Sequence, residues 1–265
     1  MVADYRTLRH KARFFVMMDA TEKDNECHVV IFSSFGSMLK FLKQFPDASA
    51  TIYNPKGKIK GHLKDRGVDT FLMSVAKLIS VTPDAMNLLK RAAGQCYQKQ
   101  ASDAVIQHII EAGHLSVLEH CYATFEITCS ITTLLQLTRH RHFSPTVQSS
   151  RGSELHGVYE TGDDMIDYMT KYIMQVYHLK VAEGVCKKED IAYMLPKAAE
   201  YKLVITGNFR AWFEYLPKRL CKRASKEHQE LAQQIYQALV AACPQVFGNV
   251  KPNCKSCKEK RCSYE

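Results

Sequence analysis

The spacing of apolar residues predicts both strands and helices from about residue 71 onwards. The nearly continuous apolar run FLMSVAKLISV predicts a strand, which the turn residues Thr82, Pro83 and Asp84 bring to an end. Apolar residues then recur at helical separations in AMNLLKRAAGQCY, and YATFEIT predicts a further strand. A longer apolar stripe at helical spacing lies between Tyr159 and Val176, and it predicts core or a subunit interface.

A helix that ends just before a basic cluster is predicted by the segment SITTLLQLT. Its apolar residues stand at helical separations behind Ser130, a residue type that caps helix N-termini, so Arg139 is expected near the helix C-terminus. Pro145 cannot continue this helix. Beyond it, Ser149 and Arg151 are two residues apart, which in an extended segment places both side chains on the same side. A hydroxyl and a guanidinium on one side suit a phosphate dianion.

Residues 1–68 predict a small accessory α+β unit. CHVVIFSS predicts a strand, FGSMLKFLKQF a short amphipathic helix closed by Pro46, and ATIYNPKGKIKG a hairpin that turns at Asn54–Gly57. Its lysines are more simply explained as solvated surface residues than as nucleic-acid contacts. We therefore assign no chemistry to this unit.

Composition and charge narrow the class of protein. A hydrophobic content of 46% and a charged content of 24% are those of an ordinary globular protein. No apolar run approaches the ~20 residues of a membrane span, and no apolar core of a secretory signal stands at the N-terminus, so a cytoplasmic protein is expected. The ten cysteines are then expected to be free thiols. The net charge of +9 favours anionic partners, either a nucleotide or a polynucleotide.

The tail from residue 251 to residue 265 contains Cys254, Cys257 and Cys262. A Cys-x-x-Cys pair with a third cysteine can hold zinc, but no obvious fourth ligand follows. An ordinary thiol-rich tail without a metal is the simpler expectation, and we predict no metal site elsewhere.

Three motifs are specific enough to carry a resemblance. RHRHFSPTVQSSR keeps the Arg-His-Arg, the two spaced serines and the final arginine of a known signature, at Arg139–Arg141, Ser144, Ser149 and Arg151. GHLSVLEH resembles a GHxSxxEH element, and NFRAWFEYLPKRLCKRASKE resembles NxRxxxxFLxxRxCxRAQxE. In these motifs and their order, the chain resembles the flavin-dependent thymidylate synthases (the ThyX family) over about residues 71–250, as a divergent member.

The resemblance implies an α+β fold with an antiparallel sheet and long helices. It divides the chain into the N-terminal extension 1–68, a catalytic domain 69–250 and the tail 251–265. It further implies a homotetramer with shared active sites and reductive methylation of dUMP at C5 to dTMP. FAD would be the cofactor, with NADPH and methylenetetrahydrofolate as co-substrates.

The motifs also imply roles for individual residues. Arg219 is expected to be catalytic, because a guanidinium near the uracil can stabilise negative charge as N3 loses its proton. The residues expected to bind the nucleotide are Gln136, Arg139, Gln148, Ser149, Ser150, Arg151 and Arg219. Those expected to bind FAD are His114, Ser116, Glu119, Arg139, His140, Arg141, Asn208 and Arg210.

The chain departs from the family pattern near the expected nucleotide site. Thr146 stands in place of Asn and Gly152 in place of Tyr, with Val147 between them. KEDIAYMLP resembles the element EDARxxLP, whose arginine reaches the nucleotide phosphate in the family and aligns here with Ala192. Either another cation such as Lys197 replaces it or the ligand differs.

Two alternatives follow from these features. One is the same fold and flavin acting on another pyrimidine deoxynucleotide, or adding another C5 group such as hydroxymethyl. The other is a basic nucleic-acid-binding protein that uses the N-terminal hairpin and the cysteine tail. A colourless protein with steeply salt-dependent DNA binding would favour the second alternative.

Overall fold

The computed structural model describes residues 74–252, four short strands before residue 74, and Cys254, Cys257 and Cys262. The chain divides into two compact units, Met1–Val68 and Asp69–Glu265.

The first unit contains two antiparallel pairs among its described residues. Strand β1 (Phe14–Met18) pairs with β2 (His28–Phe32), and β3 (Tyr53–Asn54) pairs with β4 (Gly57–Lys58). The strand predicted in CHVVIFSS and the hairpin predicted at Asn54–Gly57 are thereby confirmed. Strand β1 had not been predicted, and the predicted helix FGSMLKFLKQF lies outside the described residues.

Four antiparallel strands form the sheet of the second unit. They are β5 (Val75–Val81), β6 (Tyr122–Ser130), β7 (Phe143–Val147) and β8 (Glu200–Asn208), and their order is β5-β6-β8-β7. Strand β7 therefore lies at an edge, where Pro145 is tolerated because its missing N–H breaks no bond to a further strand. The sheet confirms the strands predicted in FLMSVAKLISV and YATFEIT.

Eight helices accompany this sheet in the described part of the second unit. They are α1 (Ala85–Gly94), α2 (Asp103–Glu111), α3 (Ile131–Leu137), α4 (Asp164–Glu183), α5 (Lys188–Ile191), α6 (Phe209–Arg219), α7 (Lys226–Ala242) and α8 (Pro244–Phe247). Short 3₁₀ helices occur at Gln95–Tyr97, Leu115–His120 and Ala192–Met194. This mixed helical and antiparallel architecture confirms the predicted α+β fold class.

Helix α3 begins as the sequence predicts. The Ser130 Oγ accepts a hydrogen bond of 3.2 Å from the Thr133 amide, so Ser130 is the N-cap. The helix ends at Leu137, which places Arg139 two residues beyond its C-terminus.

The segment 208–243, if it formed a single helix, would place Asn208 and Arg219 nearly on one face. The structure instead has two helices, α6 and α7, with a turn between them in which the Ala224 amide donates to the Cys221 carbonyl at 2.9 Å. Pro217 lies in the last turn of α6, where few residues remain to continue the hydrogen-bond ladder that a proline interrupts.

An aromatic cluster fixes α6 against the sheet. Trp212 and Tyr215 are fully buried, and the Trp212 ring packs edge-on against Phe125 at a centroid distance of 5.0 Å. The Trp212 indole N–H donates to the Ala123 carbonyl at 3.1 Å, which satisfies its buried polar group. These aromatic residues belong to the core, and the same packing sets the position of Arg219 at the end of α6.

No helix in the described part of the chain is both long and apolar enough to cross a membrane. The nine described cysteines are all free thiols, as predicted for them.

Candidate active site

The guanidinium of Arg219 is half-buried at the C-terminal end of α6 and is held by two residues from a distant part of the chain. Its Nε and Nη2 lie 3.2 and 3.1 Å from the His140 Nε2. Its Nη1 donates to the Gln136 Oε1 at 3.4 Å, and its Nη2 donates to the Gln136 carbonyl at 3.5 Å. Because a guanidinium carries more N–H groups than these bonds use, Arg219 retains donor capacity for a ligand.

His140 is neutral in this arrangement. Burial, together with the positive charges of Arg219 and Lys218, lowers its pKa to about 4. Since the Nε2 accepts hydrogen bonds from Arg219, the ring proton is assigned to Nδ1. At neutral pH the positive charge of the Arg-His-Arg motif therefore comes from Arg139 and Arg141, both of which are exposed.

A fully buried histidine, His228, contacts both Gln136 and Tyr215. The His228 Nδ1 lies 3.3 Å from the Gln136 Oε1, and its Nε2 lies 3.0 Å from the Tyr215 hydroxyl. Because the Gln136 Oε1 can only accept, Nδ1 carries the proton and Nε2 accepts from the Tyr215 O–H. Burial, followed by the charge of Arg219 and the neighbouring His140, lowers the pKa of His228 to about 3. We call Tyr215, His228, Gln136, Arg219 and His140 the buried polar network.

The network joins two parts of the predicted site with residues that had not been predicted. Gln136, His140 and Arg219 were predicted as site residues, whereas His228 and Tyr215 were not. The helical spacing of the sequence could have indicated that His228 is buried. His228 lies on the same helical stripe as the buried residues that follow it, which are Leu231, Ala232, Ile235 and Leu239.

Glu227 attaches helix α7 to the start of α3. Its carboxylate accepts hydrogen bonds from the Ser74 hydroxyl at 2.6 Å, the Ser130 amide at 2.7 Å, the Ser130 hydroxyl at 2.5 Å and the Thr133 hydroxyl at 2.7 Å. The carboxylate is buried, so these donors replace the water that it loses. The bonds hold α3, which carries Gln136, in a fixed position relative to α7, which carries His228.

A second group forms around Arg210 in the first turn of α6. Its Nη1 donates to the Glu119 Oε1 at 2.6 Å, and its Nε donates to the Glu214 Oε1 at 2.9 Å. The Asn208 Oδ1 accepts from the Ala211 amide at 2.8 Å and thereby caps this helix. The GHLSVLEH motif is thus brought next to the start of α6, with His114 and Ser116 exposed.

The third group is the loop that follows strand β7. The Ser149 Oγ accepts from the amides of Arg151 and Gly152, each at 3.3 Å, which makes a turn. The prediction of an extended segment with both side chains on one side was therefore wrong. A short side-chain oxygen followed three residues later by a glycine favours a local turn over continued pairing. The guanidinium of Arg151 forms an ion pair of 3.0 Å with Glu189 in helix α5.

Gln148 braces this loop with its side chain. Its Oε1 accepts from the Lys202 amide at 3.2 Å, and its Nε2 donates to the Ser153 hydroxyl at 3.0 Å and the Glu154 carbonyl at 3.2 Å. Both amide hydrogens are used in these bonds, so the structure gives Gln148 a positioning role. Its neighbour Ser150 is half-buried.

Ala192, aligned with the expected phosphate-binding arginine, begins the 3₁₀ turn after α5 and is half-buried. Lys197, the cation suggested as a replacement, lines a cavity of about 390 Å³ together with Tyr159, Lys226 and Glu227. In the described chain, the residues lining this cavity include none of those predicted to bind nucleotide or flavin. The position of Lys197 therefore gives no support to a replacement role.

Comparisons with known proteins identify the family of this chain. A family model described as "Thymidylate synthase complementing protein" matches residues 77–245. The flavin-dependent thymidylate synthase of Mycolicibacterium gilvum is 30% identical in an alignment that covers 61% of this chain and 78% of that protein. The protein of the same name from Geobacter sulfurreducens is 30% identical over 202 residues, covering 67% of this chain and 87% of that protein.

A solved structure supports the fold. The crystal structure of a flavin-dependent thymidylate synthase, ThyX, from Helicobacter pylori, complexed with FAD and dUMP, has a TM-score of 0.60 to this chain. The similarity covers 66% of this chain and 99% of the Helicobacter pylori chain at 22% identity, so it bears on the fold alone. Because the family model and the curated relatives span well over half of the sequence, this chain is a divergent member of the flavin-dependent thymidylate synthase family.

Proposed function

We propose that the protein catalyses the reductive methylation of dUMP at C5, with methylenetetrahydrofolate as carbon donor, NADPH as reductant and bound FAD. The observation that carries this proposal is the half-buried Arg219 guanidinium, which two uncharged partners, His140 and Gln136, hold in place. The relatives named above are thymidylate synthases, and the Helicobacter pylori protein was crystallised with FAD and dUMP.

The residues of the site suit a uracil that must become negatively charged at N3. A guanidinium stays protonated at any working pH and can stabilise that charge. His140 adds no competing positive charge, because its pKa is lowered to about 4. Since Arg219 is already fixed by the buried polar network, little reorganisation is required when charge develops, which is the condition for electrostatic stabilisation of a transition state.

The residues around the cluster also suit a flavin dinucleotide. Arg139 and Arg141 are exposed on either side of His140 and can bind a diphosphate, and His114 and Ser116 are exposed in the neighbouring 3₁₀ segment. Glu119 and Arg210 are paired, and in this role they would hold the GHLSVLEH motif against α6. The flavin, when bound, supplies the transfer of the carbon unit and of reducing equivalents.

The nucleotide phosphate would be bound by the loop after β7. Ser149 and Arg151 lie within one turn, and Arg151 is 76% exposed and paired with Glu189. A phosphate dianion would compete with Glu189 for this guanidinium. Ala192 contributes no charge, so the proposed phosphate site has fewer cations than the family pattern implies.

A homotetramer is part of the proposal. Helix α4 buries Thr170, Met174 and Tyr177 against the core but leaves Met165, Ile166, Met169 and Leu179 exposed. Apolar residues grouped on one helix are typical of subunit contacts. The free thiols of the described cysteines are consistent with a cytoplasmic enzyme.

A second candidate is the same chemistry on another pyrimidine deoxynucleotide. Two observations favour it: Ala192 stands where the family has an arginine, and Arg151 is already in an ion pair with Glu189. Assays with dUMP and dCMP in parallel, with mass identification of the products, separate the two candidates.

The first test is the absorption spectrum of the purified protein, which we expect to show noncovalently bound FAD. His140→Ala and Arg141→Ala should each retain less flavin than wild type, with the exposed Lys218→Ala as control. A colourless wild-type protein that does not take up FAD on reconstitution would overturn the proposal, and unchanged flavin content in both variants would overturn the assigned contacts.

A further inference from the structure

A group of potential metal ligands lies outside the site described above. One ligand atom from each of Glu154, His156 and His178 lies within 4.8 Å of the others. The two imidazole rings are stacked, with centroids 5.2 Å apart and an interplanar angle of 9°. We propose that these three residues bind one first-row transition-metal dication, of which Zn²⁺ is the representative probe.

The local structure explains why the side chains converge. Glu154 and His156 flank Leu155, which is 1% exposed, so both side chains project away from the core side on which Leu155 is anchored. His178 follows the buried Tyr177 on helix α4 and faces them from a different element. The group thus joins the end of the loop after β7 to α4, across a separation in sequence that no local turn could bridge.

The donor set fits a borderline-soft cation. Two imidazole nitrogens and one carboxylate oxygen, with a fourth position for water, form one of the common ligand sets of Zn²⁺. Metal–ligand bonds of about 2.0–2.2 Å place tetrahedral ligands roughly 3.4 Å apart. Since the ligand atoms lie within 4.8 Å of one another, they need to approach by no more than about 1.4 Å. The side chain of His156 is exposed and has room to rotate for this approach.

One cation already lies near the group. The Lys188 Nζ is 3.8 Å from the Glu154 Oε1, and both side chains are partly exposed, at 46% and 35%. An ion pair of this length and exposure contributes little stability, so a dication bound by three ligands would displace it. The structure therefore contains a weak ion pair at a position where a metal would bind more strongly.

The consequence of binding would be a constraint on the loop after β7. Glu154 and His156 follow Ser149 and Arg151 within the same loop, and Gln148 braces that loop through the Glu154 carbonyl. A metal at this position would connect the loop to α4 and restrict its motion. This role does not depend on the proposed reaction.

The test uses the full chain with Cys254, Cys257 and Cys262 replaced by serine, because the tail thiols could bind zinc themselves. After treatment with a chelator and its removal, calorimetric titration with ZnCl₂ should show one high-affinity site per chain. MgCl₂ under the same conditions should show none, because Mg²⁺ prefers oxygen ligands.

Variants in this background locate the site. His156→Ala and Glu154→Gln should each weaken Zn²⁺ binding by at least ~100-fold, since even outer partners of metal ligands contribute about 10- to 100-fold. His108→Ala, at an exposed histidine outside the group, should bind as the background does. Because His156 is exposed, its replacement should leave the thermal unfolding of the metal-free protein unchanged.

Two results would overturn the proposal. The first is the absence of a one-to-one Zn²⁺ site in the serine background. The second is equal Zn²⁺ affinity in the background and in both His156→Ala and Glu154→Gln. Neither result bears on dTMP formation, so failure of the metal proposal and failure of the proposed function remain distinguishable.

Discussion

The buried polar network and the loop after β7 each contain an arginine, but they hold its side chain to different degrees. In the network, Arg219 is hydrogen-bonded to His140 and Gln136, which are supported by fully buried side chains from α6 and α7. In the loop, Arg151 is 76% exposed and meets only a partly exposed carboxylate. The network fixes its guanidinium before any ligand arrives, whereas the position of the loop guanidinium depends on what it binds.

This difference suggests different roles for the two arginines, one in the reaction and one in phosphate binding. A rigid guanidinium is useful where charge develops during a reaction, because its orientation is already set. A mobile one is sufficient for a phosphate, which carries its charge throughout and can draw arginine away from a weak surface pair. Replacements in the two regions should therefore affect different measured quantities.

The largest effect is expected at Arg219. Removing a donor that stabilises transition-state charge lowers turnover by about 100- to 1,000-fold, so Arg219→Ala should lose most dTMP formation and retain FAD and its assembly state. The neighbouring exposed Lys218→Ala should remain within twofold or so of wild type. Initial rates at saturating substrate provide the measurement, and wild-type turnover in Arg219→Ala would contradict its catalytic role.

The next effect concerns the loop and appears in binding. Ala192→Arg should tighten dUMP binding by ~1.5 to 3 kcal/mol, or about 10- to 150-fold, because it restores a charged hydrogen bond to the phosphate. Titration of dUMP while flavin absorbance is followed measures this affinity. Micromolar binding in wild type with no gain in the variant would show that another cation already supplies the charge, and little gain with weak binding would favour a different substrate.

A smaller effect is expected at His228, which supports Gln136. His228→Leu leaves the Tyr215 hydroxyl and the Gln136 side-chain oxygen Oε1 with one partner fewer in a buried site, which should lower the free energy of unfolding by about 1–3 kcal/mol. Gln237→Leu, at an exposed position of the same helix, is the matched control and should change it by about 0.5 kcal/mol or less. Urea unfolding measures both. An equal effect of the two variants would show that His228 is not part of a stabilising network.

The smallest effect is the pH dependence of the destabilisation caused by His228→Leu. The pKa of His228 is about 3 in the folded protein and near 6.5 when unfolded, so below pH 6.5 the unfolded chain binds more protons. Wild type should therefore lose about 1.4 kcal/mol per pH unit from this residue as pH falls, and the destabilisation by His228→Leu should shrink accordingly down to about pH 5. Burial raises the pKa of Glu200 to about 7, and its carboxyl acts in the opposite direction in both proteins. A destabilisation independent of pH would contradict a neutral His228.

The sequence was informative about which residues matter and about local structure. The Ser130 cap, the end of β5 at Val81 and the start of β6 at Tyr122 follow from capping chemistry and apolar periodicity, and these predictions were confirmed. The motifs also selected Gln136, His140 and Arg219 as candidates. The cap and the strand ends depend on neighbouring residues, and the candidate site residues were selected by their motifs. A single sequence is sufficient for both.

The sequence was less informative about how these residues meet. The bond between Arg219 and Gln136 spans 83 positions, and the bond between His228 and Gln136 spans 92. Such pairs result from the packing of α6 and α7 against α3, which local periodicity does not encode. The loop prediction failed for a similar reason, since the Ser149 side chain competes with strand pairing by capping its own turn.

The most direct test of the proposed function follows the transferred carbon. The purified protein is incubated with FAD, NADPH, dUMP and methylenetetrahydrofolate that carries an isotopic label in its methylene group, and the nucleotides are then identified by mass spectrometry and NMR. We predict labelled dTMP with the label in the C5 methyl group, and none in the parallel Arg219→Ala reaction over the same time. Recovery of unlabelled dUMP alone, or of a labelled pyrimidine with a C5 group other than methyl, would contradict the assignment of this chain as a thymidylate synthase.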